Sequence, residues 1–242
     1  MTTYKEQRSQ ENMYRFPYHW FPEMPLFQFA RTEKQRIIFD IIQKFLVSKS
    51  YQYLDVGCGD GRWTTDIHDF LANKLHANVI SSGIDFSDQA IGFAKLISPW
   101  IEFKVYRGEN IPFPDNHFSL TSTIEVLEHI EDGSEELFLA EIWRVTKPDG
   151  LVILTTPSWN LPVPPHHFRH YSVDRLTTLV EACGFKLLEI RGYGTACPTR
   201  LAKIRKKMGK IPRLWRVWKY TVSEANLDRA QDLIVALRPV KK

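Results

Sequence analysis

Cysteine is nearly missing from this 242-residue sequence, which has only Cys58, Cys183 and Cys197. An odd, widely spaced trio excludes a disulfide framework and a zinc knuckle, both of which need paired or clustered thiols. No run approaches the roughly 18 consecutive apolar residues that a membrane span requires. The opening residues, MTTYKEQRSQENMYRF, contain no hydrophobic signal-peptide core. A reducing cytoplasm is the expected setting. Acidic residues are absent from 195–223, where nine basic ones gather (Arg200, Lys203, Arg205, Lys206, Lys207, Lys210, Arg213, Arg216 and Lys219). The net charge of +4 is therefore local, because 23 Lys and Arg elsewhere stand against 28 Asp and Glu, a net of −5. No repeat or low-complexity segment is present, and the length fits one large domain.

What is present is concentrated at 51–61, YQYLDVGCGDG. Tyr51 to Val56 reads as a short buried strand, rich in aromatic and branched side chains. Gly57, Gly59 and Gly61 supply a tight turn with room for positive φ and close ligand approach. Arg62 to Asn73 reads as the helix that follows. Strand, glycine turn and helix together set a nucleotide-like ligand against a helix N-terminus.

Residues 1–31 hold seven aromatics between Tyr14 and Phe29, interleaved with Pro17, Pro22 and Pro25. Such prolines predict an extended arm that packs over the domain and helps to roof a substrate site. Isoleucines at helical spacing predict a helix over 32–47. Strands are expected at 79–84, 101–106, 118–124, 151–156 and 186–191, with helices at 88–97, 134–146 and 173–183. This alternation predicts an α/β fold, a Rossmann-like doubly wound sheet that is mostly parallel. DLIVALRP at 232–239 reads as one last strand. The domain then covers 32–242, with an insertion at about 194–231 and a long loop at 157–172.

The glycine spacing is G-x-G-x-G, not the dinucleotide fingerprint G-x-G-x-x-G, which disfavours a nicotinamide oxidoreductase. LDVGCGDG resembles motif I of the class I S-adenosylmethionine-dependent methyltransferases. SGIDFS, GENIPFPDNHFS, STIEVLEHIED and EIWRVTKPDGLVILTTP match that family's later segments in order, so the resemblance covers about 51–190. It implies seven strands with an antiparallel last one, and S-adenosylmethionine as cofactor. It also implies that Gly57 and Gly59 wrap the methionine part while Asp55 helps to hold its amino group. Asp85 would bind the ribose hydroxyls, Phe86 would lie against adenine, and Glu109 and Asn110 would reach the adenine edge. Glu109 departs from the commoner Asp by one methylene, and Glu125 closes the cofactor set.

Methyl transfer from a sulfonium needs alignment, plus a base when the nucleophile is a hydroxyl. Candidates fall after the fourth strand and in the loop after the fifth. His129 leads, with His166 and His170 as rivals, because imidazole takes protons near neutral pH. The same stretch, Glu125-x-x-Glu128-His129 with His166, looks like the metal set of small-RNA 3′-terminal 2′-O-methyltransferases and magnesium-assisted ubiquinone-pathway O-methyltransferases. No metal is assigned here, although a divalent ion on those residues would lower the pKa of vicinal hydroxyls.

HHFRHYSVDRLTTLVEACGF (166–185) resembles a segment of bacterial methyltransferases acting on quinone precursors, sugars and other small metabolites. The expected reaction is O-methylation of a small metabolite, sugar or lipid-linked intermediate. The alternatives are a catalytically silent cofactor-binding scaffold, or metal-assisted 2′-O-methylation of RNA ends. Apolar residues at spacings of three and four make 199–220 an amphipathic basic region. Its expected partners are an anionic membrane surface or a phosphate-bearing substrate. Nucleic acid is disfavoured, because no aromatic-basic binding module is visible.

Overall fold

A computed structural model describes residues 11, 14–21, 25–107, 110–196 and 223–241. In chain order the elements are α1 (Pro25–Phe45), β1 (Ser50–Val56), α2 (Arg62–Asp69) with a π turn over Phe70–Lys74, β2 (Asn78–Asp85), α3 (Asp88–Ile97), β3 (Glu102–Val105) and β4 (Phe118–Ile124). Then follow a 3-10 turn (Leu127–His129), α4 (Glu135–Val145), β5 (Thr146–Pro157), α5 (Val173–Ala182), β6 (Phe185–Thr195), β7 (Glu224–Ala225) and β8 (Ala230–Pro239).

The strands form one sheet in the order β3-β2-β1-β4-β5-β8-β6-β7. β1 pairs parallel with β2 and β4, and β4 pairs parallel with β5. β8 runs antiparallel between β5 and β6, as expected of the last strand. The chain direction therefore reverses only at β8 and β7, so all ligand-facing tips of β1, β2, β4 and β5 lie at one edge.

Side chains alternate across the sheet as the period of a strand requires. Tyr53, Leu120, Ile153 and Ile234 pack on one face with Ile37, Ile38, Ile41 and Ile42 of α1. Leu54, Val152, Leu154 and Val235 pack on the other with Leu139 and Ile142 of α4 and Leu176 and Val180 of α5. Where the sheet is covered on both faces, the buried polar side chains of β2 and β4, Asp85 at the β2 tip apart, are small hydroxyls, Ser81, Ser82, Thr121, Ser122 and Thr123.

Two expectations need correction. The sheet has eight strands rather than seven, because Glu224–Ala225 adds a two-residue edge strand to β6. A pair that short carries no hydrophobic pattern to read. The first helix starts at Pro25, not Thr32. Proline breaks a helix interior but is tolerated in its first turn, where its missing N–H would have no partner. The arm is thus shorter than residues 1–31. Of the insertion, 197–222 lie outside the described residues, and with them the basic region 199–220. Among the described residues, no helix is long and apolar enough to cross a membrane.

Candidate active site

The glycine turn links the tip of β1 to α2. Gly57, Gly59 and Gly61 adopt φ of 78°, 53° and 77°, a left-handed region that a side chain enters at a cost. The Gly57 and Cys58 N–H groups both donate to the Ile84 carbonyl, which fastens the turn to β2. Asp85, buried at the β2 tip, accepts from the Gly59 N–H through one oxygen and from the Ser87 N–H through the other, both at 2.9 Å. Burial pushes Asp85 up to about 6 despite those two donors. Asp55 lies beneath the turn. Its oxygens accept from Thr64 Oγ1 at 2.7 Å and Ser122 Oγ at 2.6 Å, so it ties the turn to α2 and β4. Burial likewise raises Asp55 to about 6.

The arm sits directly on this turn. His19 donates its backbone N–H to Asp60 Oδ2, and its ring Nδ1 lies 3.0 Å from Asp60 Oδ1. The Trp20 indole donates to the Asp60 carbonyl at 2.9 Å, and the Arg62 guanidinium stacks on the Trp20 ring. A Cβ on Gly59 would stand 2.5 Å from the Tyr14 hydroxyl. Gly59→Ala is therefore expected to cost about 1–2 kcal/mol in backbone strain and to push Tyr14 off the turn. A denaturant melt would show the loss, and an unchanged midpoint would contradict it.

At the β4 tip, Glu125 takes φ of 58°, an uncommon conformation for a side chain that large. Such strain persists where the surroundings over-determine it, and here they do. The Glu125 N–H donates to the Thr155 carbonyl, while its Oε1 accepts from Thr155 Oγ1 at 2.7 Å and Lys34 Nζ at 2.8 Å. Lys34, buried on α1, also pairs with Asp232 of β8 at 2.9 Å. Burial alone would raise Glu125, but the Lys34 charge and the two donors hold it below the usual carboxylate range. Beside this triad lies a cavity of about 530 Å³, lined by Phe16, Tyr18, Arg31, Trp63, Glu125 and Tyr193 among others.

Residues 54–154 match the methyltransferase domain family. A relative named "Probable S-adenosylmethionine-dependent methyltransferase" from Mycolicibacterium smegmatis is 25% identical over 146 residues, covering 57% of this chain and 53% of the relative. The demethylmenaquinone methyltransferase of Staphylococcus epidermidis is 31% identical over 121 residues, 48% of each chain. A solved S-adenosylmethionine-dependent methyltransferase from Mesorhizobium loti superposes with a TM-score of 0.56 at 17% identity, over 82% of this chain and 96% of that one. Residues 54–154 therefore carry a methyltransferase domain, on the fold of solved S-adenosylmethionine-dependent methyltransferases. It spans about half the length of the curated relatives it matches.

Just beyond the matched residues, the 157–172 loop folds back toward the β4 tip. Arg169, buried, holds Asp132 through Nε at 2.8 Å and Glu135 through Nη1 at 3.0 Å, while the Phe168 N–H donates to the Glu128 carbonyl. The result is a histidine cluster whose protons can be placed from their acceptors. His129 Nδ1 lies 3.0 Å from the His166 carbonyl, so it carries the proton and leaves Nε2 a lone pair. His170 Nδ1 donates to the Leu161 carbonyl, its Nε2 then accepts from His167 Nδ1 at 2.8 Å, and His167 Nε2 is left unprotonated. Burial pushes His129 down, and burial with three neighbouring imidazoles pushes His167 down to about 4. Glu128, also buried, is raised well above the usual range by burial and by Glu125.

The three predicted bases take different places in this cluster. His170 is buried with both ring nitrogens engaged, Nδ1 by the Leu161 carbonyl and Nε2 by His167. His166 is exposed and fixes His129 through its carbonyl. His129 keeps an unprotonated nitrogen. The metal set shifts as well: Glu128, His129 and His167 place ligand atoms within 4.8 Å of one another, while Glu125 is taken by Lys34. Phe86 is half-buried beside Asp85 and Asn110 is exposed, whereas Glu109 lies outside the described residues. Lys34, Asp232, Asp60 and Arg31 had no role assigned from the sequence. Asp60 stands inside the glycine motif, Asp232 inside DLIVALRP and His167 inside the 166–185 stretch, whereas Arg31 ends the predicted arm and Lys34 falls in the predicted helix without a motif of its own.

Proposed function

We propose that the chain transfers the methyl group of S-adenosylmethionine to an oxygen of a small metabolite, sugar or lipid-linked intermediate. One observation carries this reading: a left-handed glycine turn, the buried carboxylate of Asp85 and the strained Glu125 converge at the tips of β1, β2 and β4. These residues fit the cofactor. The missing side chain at Gly59 permits close approach, here by the Tyr14 hydroxyl, and α2 starts without a side-chain cap on its first N–H groups. When bound, the cofactor supplies an electrophilic methyl on sulfur. Asp85 would accept the ribose hydroxyls, with Phe86 beside the adenine, while Asp55 keeps the turn in place. His129 Nε2 would accept the proton of the acceptor hydroxyl, and a neutral imidazole held by a carbonyl suits that task. The arm over the turn would exclude water. Incubation with isotopically labelled cofactor and hydroxylated acceptors is expected to give methyl ethers or esters. Label found only on nitrogen or carbon would refute the oxygen assignment, and cofactor binding without transfer to any acceptor would favour the scaffold alternative.

The Asp85 role has a pH signature. In the free protein this carboxyl holds its proton up to about pH 6, but hydroxyls that donate to it select the ionised form. Affinity for S-adenosylhomocysteine should therefore be constant above pH 6 and fall below it, by at most about tenfold per pH unit. Asp85→Asn should flatten the profile, and a flat wild-type profile from pH 7.5 to 5 would contradict the assignment.

A metal-assisted reaction is a second reading, favoured by the convergence of Glu128, His129 and His167. Two imidazole lone pairs and one carboxylate suit zinc, cobalt or manganese better than magnesium. The first reading predicts full activity in EDTA. Loss of activity with EDTA, restored by cobalt(II) together with a visible absorption band, would decide for the second. The proposed contact of residues 199–220 with an anionic surface or a phosphate-bearing substrate is supported by their charge alone.

A further inference from the structure

We propose that Arg31 anchors a carboxylate inside the cavity between the arm, α1 and the strand tips, an inference that rests on the methyl-transfer reading. Arg31 lines this cavity together with Trp63 and Glu125. Its Nε is buried and has no hydrogen-bond partner among the described residues. Its Nη1 donates to the His19 carbonyl, a neutral acceptor that leaves the positive charge unmatched. The two acids whose charge reaches it are already committed. The Asp60 carboxylate is held by the backbone N–H and ring of His19, and Asp66 by Arg62 and Gln35. Among the described residues no carboxylate lies within ion-pair distance of Arg31. Lys34, one helical turn on, shows the contrast, because two acids neutralise it.

Burial pushes the Arg31 guanidinium down, and the neighbouring Arg62 pushes it the same way. A planar guanidinium with a free edge matches a carboxylate bidentately, and such charge-assisted pairs are the strong ones. The site also lies beside the uncapped start of α2, whose positive end favours an anion. Five aromatic walls, Phe16, Tyr18, Phe21, Trp63 and Tyr193, leave room for the apolar body that carries the charge. The carboxylate can come from two sources: the amino-acid end of the cofactor, or an acidic aromatic acceptor.

Calorimetry on full-length wild type, Arg31→Met and Arg31→Lys separates them. The probes are S-adenosylhomocysteine, 5′-methylthioadenosine, which lacks the amino-acid end, and 4-hydroxybenzoate added at saturating S-adenosylhomocysteine. A cofactor source predicts that Arg31→Met weakens S-adenosylhomocysteine about tenfold to a hundredfold while methylthioadenosine is unchanged. Arg31→Lys should then recover part of the loss. An acceptor source predicts unchanged S-adenosylhomocysteine and lost 4-hydroxybenzoate binding. Equal weakening of both nucleosides would mean that Arg31 merely holds the arm through His19, and would overturn the proposal. So would unaltered binding of every probe by a variant that melts like wild type. A wild type that binds neither nucleoside would instead refute the methyl-transfer reading and remove the inference with it.

Discussion

Replacing Lys34 with methionine is expected to lower the melting temperature by roughly 6–20 °C. Lys34 is only 7% exposed and stands between Glu125 and Asp232 at 2.8 and 2.9 Å. The substitution leaves two carboxylates together in a poorly solvated place with no cation between them. Removing one member of a buried ionic group costs about 3–5 kcal/mol, far more than the intact group contributes. In a chain of this size each kcal/mol moves the midpoint by about 2–4 °C. Adding Asp232→Asn should return part of the loss, because one of the stranded charges then disappears. A shift below about 2 °C, the range of ordinary surface changes, would show that the triad is solvated and that Glu125 is not held by Lys34.

His129→Gln is expected to lower turnover about 10²- to 10⁴-fold with any acceptor the wild type methylates at oxygen. Glutamine can still donate to the His166 carbonyl, so the local geometry is kept and only the basic nitrogen is lost. Affinity for S-adenosylhomocysteine should stay within about twofold, since the loss is confined to the reaction step. His170→Gln disturbs only the orientation of His167 and should cost about tenfold or less. Turnover by His129→Gln within about tenfold of wild type would remove His129 as the base. A larger loss in His170→Gln than in His129→Gln would point instead to the His167 side of the cluster.

The sheet was legible because its signals are local. A buried strand, a glycine turn and a helix follow one another within 51–74, and each later βα unit repeats the pattern with its own caps, such as Ser87 and Ser172. The eighth strand was not legible, because two residues paired at an edge have no periodicity. The start of α1 was misread because Pro25 looks the same in a loop and at a helix N-terminus. Acids at strand tips could be placed from order alone. Their partners could not, because Lys34 meets Glu125 across 91 positions and Asp60 meets His19 across 41. The protonation states of the histidines depend on carbonyls contributed by the folded loop, which a sequence does not display.

The most direct measurement is a calorimetric titration of the full chain with S-adenosylhomocysteine, repeated on Asp85→Ala. Wild type is expected to bind with micromolar affinity, one to one, and the variant at least about a hundredfold more weakly. The variant's fold should be checked by its melt, because Asp85 also holds the Gly59 and Ser87 N–H groups. Folded wild type that fails to bind, or equal binding by both proteins, would contradict the claim that the turn at 57–61 and Asp85 form a cofactor site.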